Sequence, residues 1–515
     1  MIFSLENDQV PSAISTRFPH MLLSLAAMMP AVAPVAVQAS PASAVVPPPA
    51  LPSQADADRQ KLQAMDAYLQ AQVRNDMFSG VALVARNGEP FFVKSYGMAN
   101  YELGAPNTAE NTYLLGSMVK QFTAVAILQL QEQGKLKVSD PICRYLETCP
   151  QSWQGITLHQ LLTHTSGIPN VSSLPNWDEK LAMLSYTRPE LVALFRDLPL
   201  DFAPGEKFDY SNSGYMLLGA IVERVSGLRY DDYLAEKLFK PAGMARTYSG
   251  ETRALVPGRA TGYYSVGTDF INARLVSPTV DLGTSGVYST VADMLRWDKA
   301  LAADRLISRA SRDAMFTPDK GGYGYGWFMA ERHGRGAQFH SGSDNGFSTN
   351  ITRFPADALT VIILSNSDRT NAGRVGNDLA AIAFGAPYRL PVEQLGDLLW
   401  NIMRDRGVAA ALAHHAELKR TAPTAHDFGD ETLVTMGYDL FEVRRLAEAK
   451  AVFEYNLRQY PTSAYSYDGL ADIAAVKGDK AEAIALFEKS LGIDPKNEYA
   501  IDGLARLRAD GAKKP

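Results

Sequence analysis

The residues best suited to chemistry are a serine and a lysine three positions apart, Ser117 and Lys120. Residues with this spacing share one face of a helix, so the lysine amine can reach the serine hydroxyl. A serine hydroxyl is a weak nucleophile until a neighbouring base takes its proton, and a lysine can be that base when burial lowers its pKa. Because the same spacing arises by chance on protein surfaces, it needs support from its surroundings.

The chain that follows this pair gives the first support. It is apolar on nearly every side until Gly134, which predicts a buried helix that ends at a glycine. The N-terminus of such a helix would also bring unpaired amide donors close to the serine hydroxyl. We therefore expect Ser117 and Lys120 to lie inside a domain.

A second informative segment is Tyr210-Ser211-Asn212, which stands just before another predicted helix. The tyrosine is either a core aromatic residue or a phenol that transfers protons beside the serine and lysine. The asparagine is either a helix N-cap, for which this residue type is favoured, or a contact of the substrate or the lysine.

A third segment, His340-Ser341-Gly342-Ser343, is predicted to lie on an edge strand beside a cleft. The glycine would let a substrate approach the backbone. The alternative is a surface histidine on a strand. A further histidine, His164, is interpreted as a turn residue bonded to the backbone rather than as a general base.

The three segments follow the order S-x-x-K, Y-x-N and K-T-G, with H-S-G in the last place. In this order they resemble the serine β-lactamase and penicillin-binding-protein superfamily, and most closely its class C-like branch. The segment from Leu162 to Gly167 and the glycine-rich segment near Gly286 also resemble that branch. The resemblance covers about residues 60–385. It implies an α/β (α+β) fold, with an antiparallel sheet flanked by helices plus an all-α subdomain.

The resemblance also implies roles for individual residues. Ser117 would be the acylated nucleophile, and Lys120 and Tyr210 would handle protons. Asn212 would contact the substrate or Lys120. The backbone N–H groups of Ser117 and Ser343 would form an oxyanion hole. No cofactor and no metal are implied.

The departure from the family pattern is His340, where many relatives carry lysine. A lysine can anchor a substrate carboxylate, whereas a histidine is mostly neutral near pH 7. An esterase or peptidase acting on esters, amides or D-amino-acid peptides is therefore the first prediction, with DD-carboxypeptidase and β-lactamase as rivals. A catalytically degenerate peptidoglycan- or peptide-binding protein is the alternative from another class.

Composition limits the other classes of function. The chain has 515 residues, is 46% hydrophobic and carries a formal net charge of −6. Without a basic stripe, nucleic-acid binding is not expected. The eight histidines form no H-E-x-x-H motif. Cys143 and Cys149 are either a disulfide or two free thiols.

The N-terminal region indicates export. Residues 1–39 are predicted to be a signal peptide, because an apolar run is followed by small residues ending at Ala39. That run is too short to span a bilayer comfortably, and an uncleaved anchor is the alternative. Residues 40–56 form an Ala/Pro-rich linker, and 57–388 form the hydrolase domain. We expect a periplasmic or secreted protein without a stable membrane span.

Residues 389–515 are predicted to be a helical, tetratricopeptide-like domain. Apolar positions such as Phe453 and Phe487 recur with the 34-residue period of those repeats. The domain either binds a protein or peptide partner or is a stabilising appendage. The hydrolase domain itself would take a small-molecule or peptide substrate. His415 is expected at the surface.

Overall fold

The structure is a computed structural model that describes residues 53–178, 180–249 and 255–511. The predicted signal peptide lies outside these residues, as does the linker up to residue 52. Residues 54–56, which the sequence assigns to the linker, form the first turn of a helix instead. Ser53 caps this helix by accepting a hydrogen bond from the Asp56 N–H.

A six-stranded antiparallel sheet is the main sheet of the hydrolase region, and the described residues also form three smaller sheets. The strands are β1 Gly80–Arg86, β2 Glu89–Tyr96, β3 Met98–Asn100, β4 Ala105–Pro106, β5 Tyr113–Leu114, β6 Tyr248–Ser249, β7 Tyr263–Val266, β8 Asp269–Asn272, β9 Val287–Ser289, β10 Phe328–Arg332, β11 Arg335–Asp344, β12 Phe347–Phe354 and β13 Leu359–Ser365. The main sheet has the order β10-β11-β12-β13-β1-β2. Pairing of β1 with β13 joins the N- and C-terminal parts of the domain in one sheet.

Helices cover both faces of this sheet. Those of the hydrolase region are α1 Gln54–Arg74, α2 Lys120–Glu132, α3 Leu158–Leu162, α4 Arg188–Arg196, α5 Asn212–Ser226, α6 Tyr230–Leu234, α7 Lys240–Ala242, α8 Val291–Ala302, α9 Arg309–Met315 and α10 Ala372–Phe384. The α1 and α10 helices pack on one face, while α8 and the helical subdomain around α2 and α5 pack on the other. The predicted α/β architecture with an all-α subdomain is confirmed.

Strand β1 shows why its sequence is continuously apolar. Successive side chains of a strand point to opposite faces of the sheet. Val81 and Leu83 join the core shared with the helical subdomain, whereas Ala82 and Val84 join the core under α1 and α10. Because both faces are buried, no position on this strand favours a polar side chain.

The C-terminal region is entirely helical among its described residues. Its helices are α11 Leu395–Arg406, α12 Val408–Thr421, α13 Glu431–Glu442, α14 Leu446–Gln459, α15 Ala464–Val476, α16 Lys480–Ile493 and α17 Glu498–Gly511. The α14 and α15 helices begin 34 residues before α16 and α17, respectively. Assignment to a named repeat family stays a prediction. The expectation for His415 is wrong: it is buried, and its Nδ1 lies 3.0 Å from the Tyr455 hydroxyl.

This helical region packs on the β7–β8 hairpin of the hydrolase region. Val266 joins the core formed by Leu399 and Trp400. Asp439 accepts a hydrogen bond of 3.0 Å from the Gly267 N–H, and a Cβ on Gly267 would overlap the Trp400 ring. These contacts support a stabilising role for the helical region. Its binding of a protein or peptide partner stays a prediction.

An ion pair between Arg369 and Asp397 also joins the two regions, with 15% and 11% of the two side chains exposed. We expect Asp397→Asn to lower the free energy of unfolding by about 3 kcal/mol, because removal of one partner leaves a buried charge uncompensated. The matched control is Asp405→Asn on the same helix. Asp405 pairs with Arg404 but is 69% exposed, so its loss should change stability by less than about 1 kcal/mol. Urea unfolding measures both variants. Equal losses of unfolding free energy in the two would contradict a stabilising role of the buried ion pair between the two regions.

Cys143 and Cys149 are joined in a disulfide. No helix in the described ranges is long and apolar enough to cross a membrane.

Candidate active site

Ser117 lies in a tight turn at the start of the buried helix. Residues Gly116–Val119 form a 3-10 turn that runs directly into α2, so the serine precedes the regular α-helix. The Leu115 backbone holds the turn in place: its N–H donates to the Val287 carbonyl, and its carbonyl accepts from the Thr349 hydroxyl at 2.7 Å. The turn Gly116–Val119, called the nucleophile turn below, is thereby anchored to β9 and β12.

Lys120 is fully buried, and its amine meets the serine as the spacing predicts. Its Nζ lies 3.0 Å from Ser117 Oγ, 2.8 Å from Asn212 Oδ1 and 3.4 Å from the Thr284 carbonyl. Burial lowers the pKa of the Lys120 amine to about 7, and the nearby Asp344 carboxylate limits this shift. A large fraction of the amine is therefore unprotonated near neutral pH and can accept a proton.

Asn212 holds the amine of Lys120 from the opposite side. Its Nδ2 donates to Ser172 Oγ at 2.9 Å, so the amide oxygen is directed at Lys120. Its backbone N–H donates to Asn170 Oδ1 at 3.0 Å. The N-cap interpretation of Asn212 does not hold, because Ser211 is the N-cap of α5 and Asn212 is the first helical residue.

Tyr210 brings a phenol to the same place. Its ring centroid is 4.9 Å from Lys120 Nζ. Burial raises the pKa of Tyr210, and the adjacent Ser117 hydroxyl opposes that shift. The phenol therefore keeps its proton at neutral pH. Its buried hydroxyl lies beside Ser117 but meets no residue of the described ranges with full hydrogen-bond geometry, so it can donate its proton to a reacting molecule.

His340 differs from both interpretations made from the sequence. It is only 2% exposed, so it is neither a surface histidine nor a group that faces solvent. Its Nδ1 lies 2.6 Å from the Ser341 carbonyl, which can only accept; Nε2 therefore accepts from the Tyr323 hydroxyl at 3.0 Å. Burial lowers the pKa of His340 to about 3, and the imidazole is neutral at physiological pH.

Gly342 allows a close approach, but to the protein's own backbone. A Cβ at this position would lie 2.0 Å from the Leu115 carbonyl oxygen. On the other side of this contact lies Gly116, which has φ +56°. A Cβ on Gly116 would lie 2.9 Å from the backbone nitrogen of Ser343. Two glycines thus let the nucleophile turn lie against β11, where the amides of Ser117 and Ser343 are brought near each other.

The strand β11 is not an edge strand over its whole length. Its first half pairs with β10 as far as Phe339, and its second half, from His340 to Asp344, pairs with β12 alone. The predicted edge therefore exists only beside the nucleophile turn, because β10 ends there.

Asp344 and Thr284 are residues of the site that sequence reasoning missed. Asp344 follows Ser343 directly, and partial burial raises the pKa of its carboxyl to about 6, opposed by the Ser285 hydroxyl and by Lys120. The position of Asp344 after the H-S-G segment was the available signal. Thr284 acts through its backbone carbonyl, for which a side-chain pattern carries no signal.

A cleft of about 310 Å³ borders the site. Its lining includes Tyr210 and Ser211 together with a mixture of apolar and acidic residues: Ile168, Pro169, Asn170, Ser173, Leu174, Asp201, Phe202 and Asp209. In the part of the chain that the structure describes, no group of three or more His, Cys, Asp or Glu residues is arranged to hold a metal ion.

The antiparallel sheet, the helical subdomain and the contact of Ser117 with the buried Lys120 together define a serine hydrolase with a β-lactamase/transpeptidase-like fold. The chain belongs to the Beta-lactamase family, whose sequence profile matches residues 63–385. It is 34% identical over 343 residues to "Penicillin-binding protein 4*" of Bacillus subtilis, a match that covers 61% of this chain and 74% of that protein.

Solved structures agree in fold. A penicillin-binding protein from Bacillus halodurans is 28% identical with a TM-score of 0.54, and the match covers 62% of this chain and 99% of that one. A D-amino acid amidase from Ochrobactrum anthropi, complexed with L-phenylalanine amide, is 21% identical with a TM-score of 0.56. That match covers 64% of this chain and 99% of the amidase, and it bears on the fold alone.

Proposed function

We propose that this protein is an exported serine hydrolase that forms an acyl-enzyme on Ser117 with esters, amides or D-amino-acid peptides. The observation that carries the proposal is the 3.0 Å contact between Lys120 Nζ and Ser117 Oγ, made by a fully buried amine. A degenerate binding protein would have no reason to retain a buried amine, since burial of a charge without function is costly.

The different pKa values of Lys120 and Tyr210 give the two residues different roles in proton transfer. Lys120, with a pKa of about 7, takes the proton from Ser117 as Oγ attacks the substrate carbonyl. Tyr210 retains its proton and donates it to the leaving group, and it is then reprotonated from Lys120. Water hydrolyses the acyl-enzyme by the reverse transfers. The N–H groups of Ser117 and Ser343 stabilise the oxyanion.

His340 directs the choice of substrate. A buried, neutral imidazole cannot anchor a substrate carboxylate by charge at physiological pH. This favours substrates without such a carboxylate, namely esters and amides, over the free C-terminus that a DD-carboxypeptidase cleaves. Penicillin-type β-lactams carry such a carboxylate. Acylation of the same serine by β-lactams, which the similarity to penicillin-binding proteins supports, is therefore a second activity that we expect to be slower than acylation by esters and amides.

Export is supported by the sequence of residues 1–39 and by the Cys143–Cys149 disulfide. Disulfides persist mainly in oxidising compartments, so the pair fits a periplasmic or secreted protein.

Trapping the acyl-enzyme tests the proposed function directly. The full chain is incubated with activated esters, D-amino-acid amides and penicillins, acid-quenched and measured by intact-protein mass spectrometry. We expect a single adduct of acyl mass with ester or amide donors, which peptide mapping places on Ser117. An adduct at another residue, or none with any acyl donor, would contradict the assignment.

A further inference from the structure

His164 occupies a backbone conformation that normally selects glycine. It follows Thr163, the C-cap of α3, and has φ +56°. The Thr165 N–H closes the helix end by donating to the Gln160 carbonyl at 2.9 Å, which leaves His164 at the left-handed position. Since glycine would adopt this conformation without strain, a bulky side chain here points to a task for the imidazole.

The residue holds the chain on both sides of Tyr210. Its carbonyl accepts from the Asp209 N–H at 2.9 Å, and its Nδ1 accepts from the Ser211 N–H at 3.1 Å. Its ring also lies on the Tyr210 ring, with centroids 4.2 Å apart and planes inclined by 32°. The backbone and the side chain of His164 thus contact both residues that flank Tyr210, and its ring contacts Tyr210 itself.

The same contacts exclude His164 as the proton acceptor for Ser117. Because Nδ1 already accepts a backbone N–H, the neutral ring carries its proton on Nε2. Burial lowers the pKa of His164 well below its usual value, and Lys120 and His340 act in the same direction. The ring therefore stays neutral and has no free lone pair to offer.

We propose that His164 is a positioning residue that sets the phenol of Tyr210 against Ser117 and Lys120. This rests on the proposed acyl-enzyme function and deepens it, because it explains how a loop residue is placed with the accuracy that proton transfer requires. The nucleophile lies in the 3-10 turn that runs directly into the helix of the base, whereas Tyr210 comes from a separate segment and needs its own support.

The test compares two variants of the full chain in the acylation step. His164→Asn keeps an acceptor oxygen near the place of Nδ1 and tolerates positive φ. His164→Gly suits the backbone but loses both acceptor and ring. For an activated ester, we expect the Gly variant to be acylated about 10–100-fold more slowly with unchanged reagent affinity, since small misplacements of a reacting group have effects of this size. The Asn variant should stay within about fivefold of wild type, with the same pH midpoint.

Each other outcome has a defined meaning. Wild-type rates in both variants would show that the side chain positions nothing. Loss of rate in both folded variants would show that an acceptor at this place does not restore the position of Tyr210, and a shifted pH midpoint in the Asn variant would show that the imidazole itself transfers protons; either result overturns the proposal. If thermal unfolding shows that the Gly variant does not fold, the rate of the Asn variant decides alone: retention supports the proposal and loss overturns it. Failure of the proposed function is distinguishable, because wild type itself would then form no adduct on Ser117.

Discussion

Replacement of Ser117 by alanine should abolish labelling by a fluorophosphonate or a fluorescent penicillin and reduce ester turnover by roughly 10⁴–10⁶-fold, as removal of a catalytic nucleophile does in other serine hydrolases. The physical reason is that the 3.0 Å contact with Lys120 makes this hydroxyl the group whose proton is taken. The measurement is in-gel fluorescence of purified protein, together with initial rates on a small ester.

The control is Ser152→Ala, which removes a hydroxyl from an exposed serine outside the site. It should label like wild type. Circular dichroism and thermal unfolding should be unchanged for Ser117→Ala, since a half-buried hydroxyl is lost without any change of backbone. Labelling that persists in Ser117→Ala would exclude this residue as the nucleophile.

Replacement of Lys120 by methionine should slow acylation of Ser117 by about 10²–10⁴-fold, the usual contribution of a general base. Methionine fills a similar apolar volume, so the variant should stay folded although the amine is lost. In wild type, the acylation rate should rise with pH through about 7, because the amine is charged below this pH and neutral above it. The rise should be absent in the variant. Stopped-flow or quenched-flow acylation across a pH series measures both effects.

Lys135→Met is the matched control, since Lys135 is exposed just beyond the end of the same helix. It should keep the rate and the pH midpoint of wild type. A rate that falls as pH rises, or a midpoint near the ordinary lysine value of about 10.4, would mean that Lys120 stabilises charge as a cation and is not the base.

The sequence alone determined the elements that local pattern controls. The three motifs stand in order along the chain, and the apolar run after Ser117 predicted a buried helix that the structure confirms as α2. The Asn87-Gly88 pair forms the turn between β1 and β2, as a pair of this type favours. These predictions succeeded because alternation of side chains and glycine turns are properties of short segments.

Only the tertiary structure decided how distant segments meet. Three contacts of the site join residues from different segments of the chain. His340 is buried against Tyr323, and Gly342 lies against the Leu115 carbonyl. His164 holds the residues on either side of Tyr210. The pKa of Lys120 follows from the same packing, since burial of the amine is its largest cause. A residue's type and spacing establish which reaction is available to it. Desolvation and hydrogen-bond partners establish its protonation state, and both are properties of the assembled core.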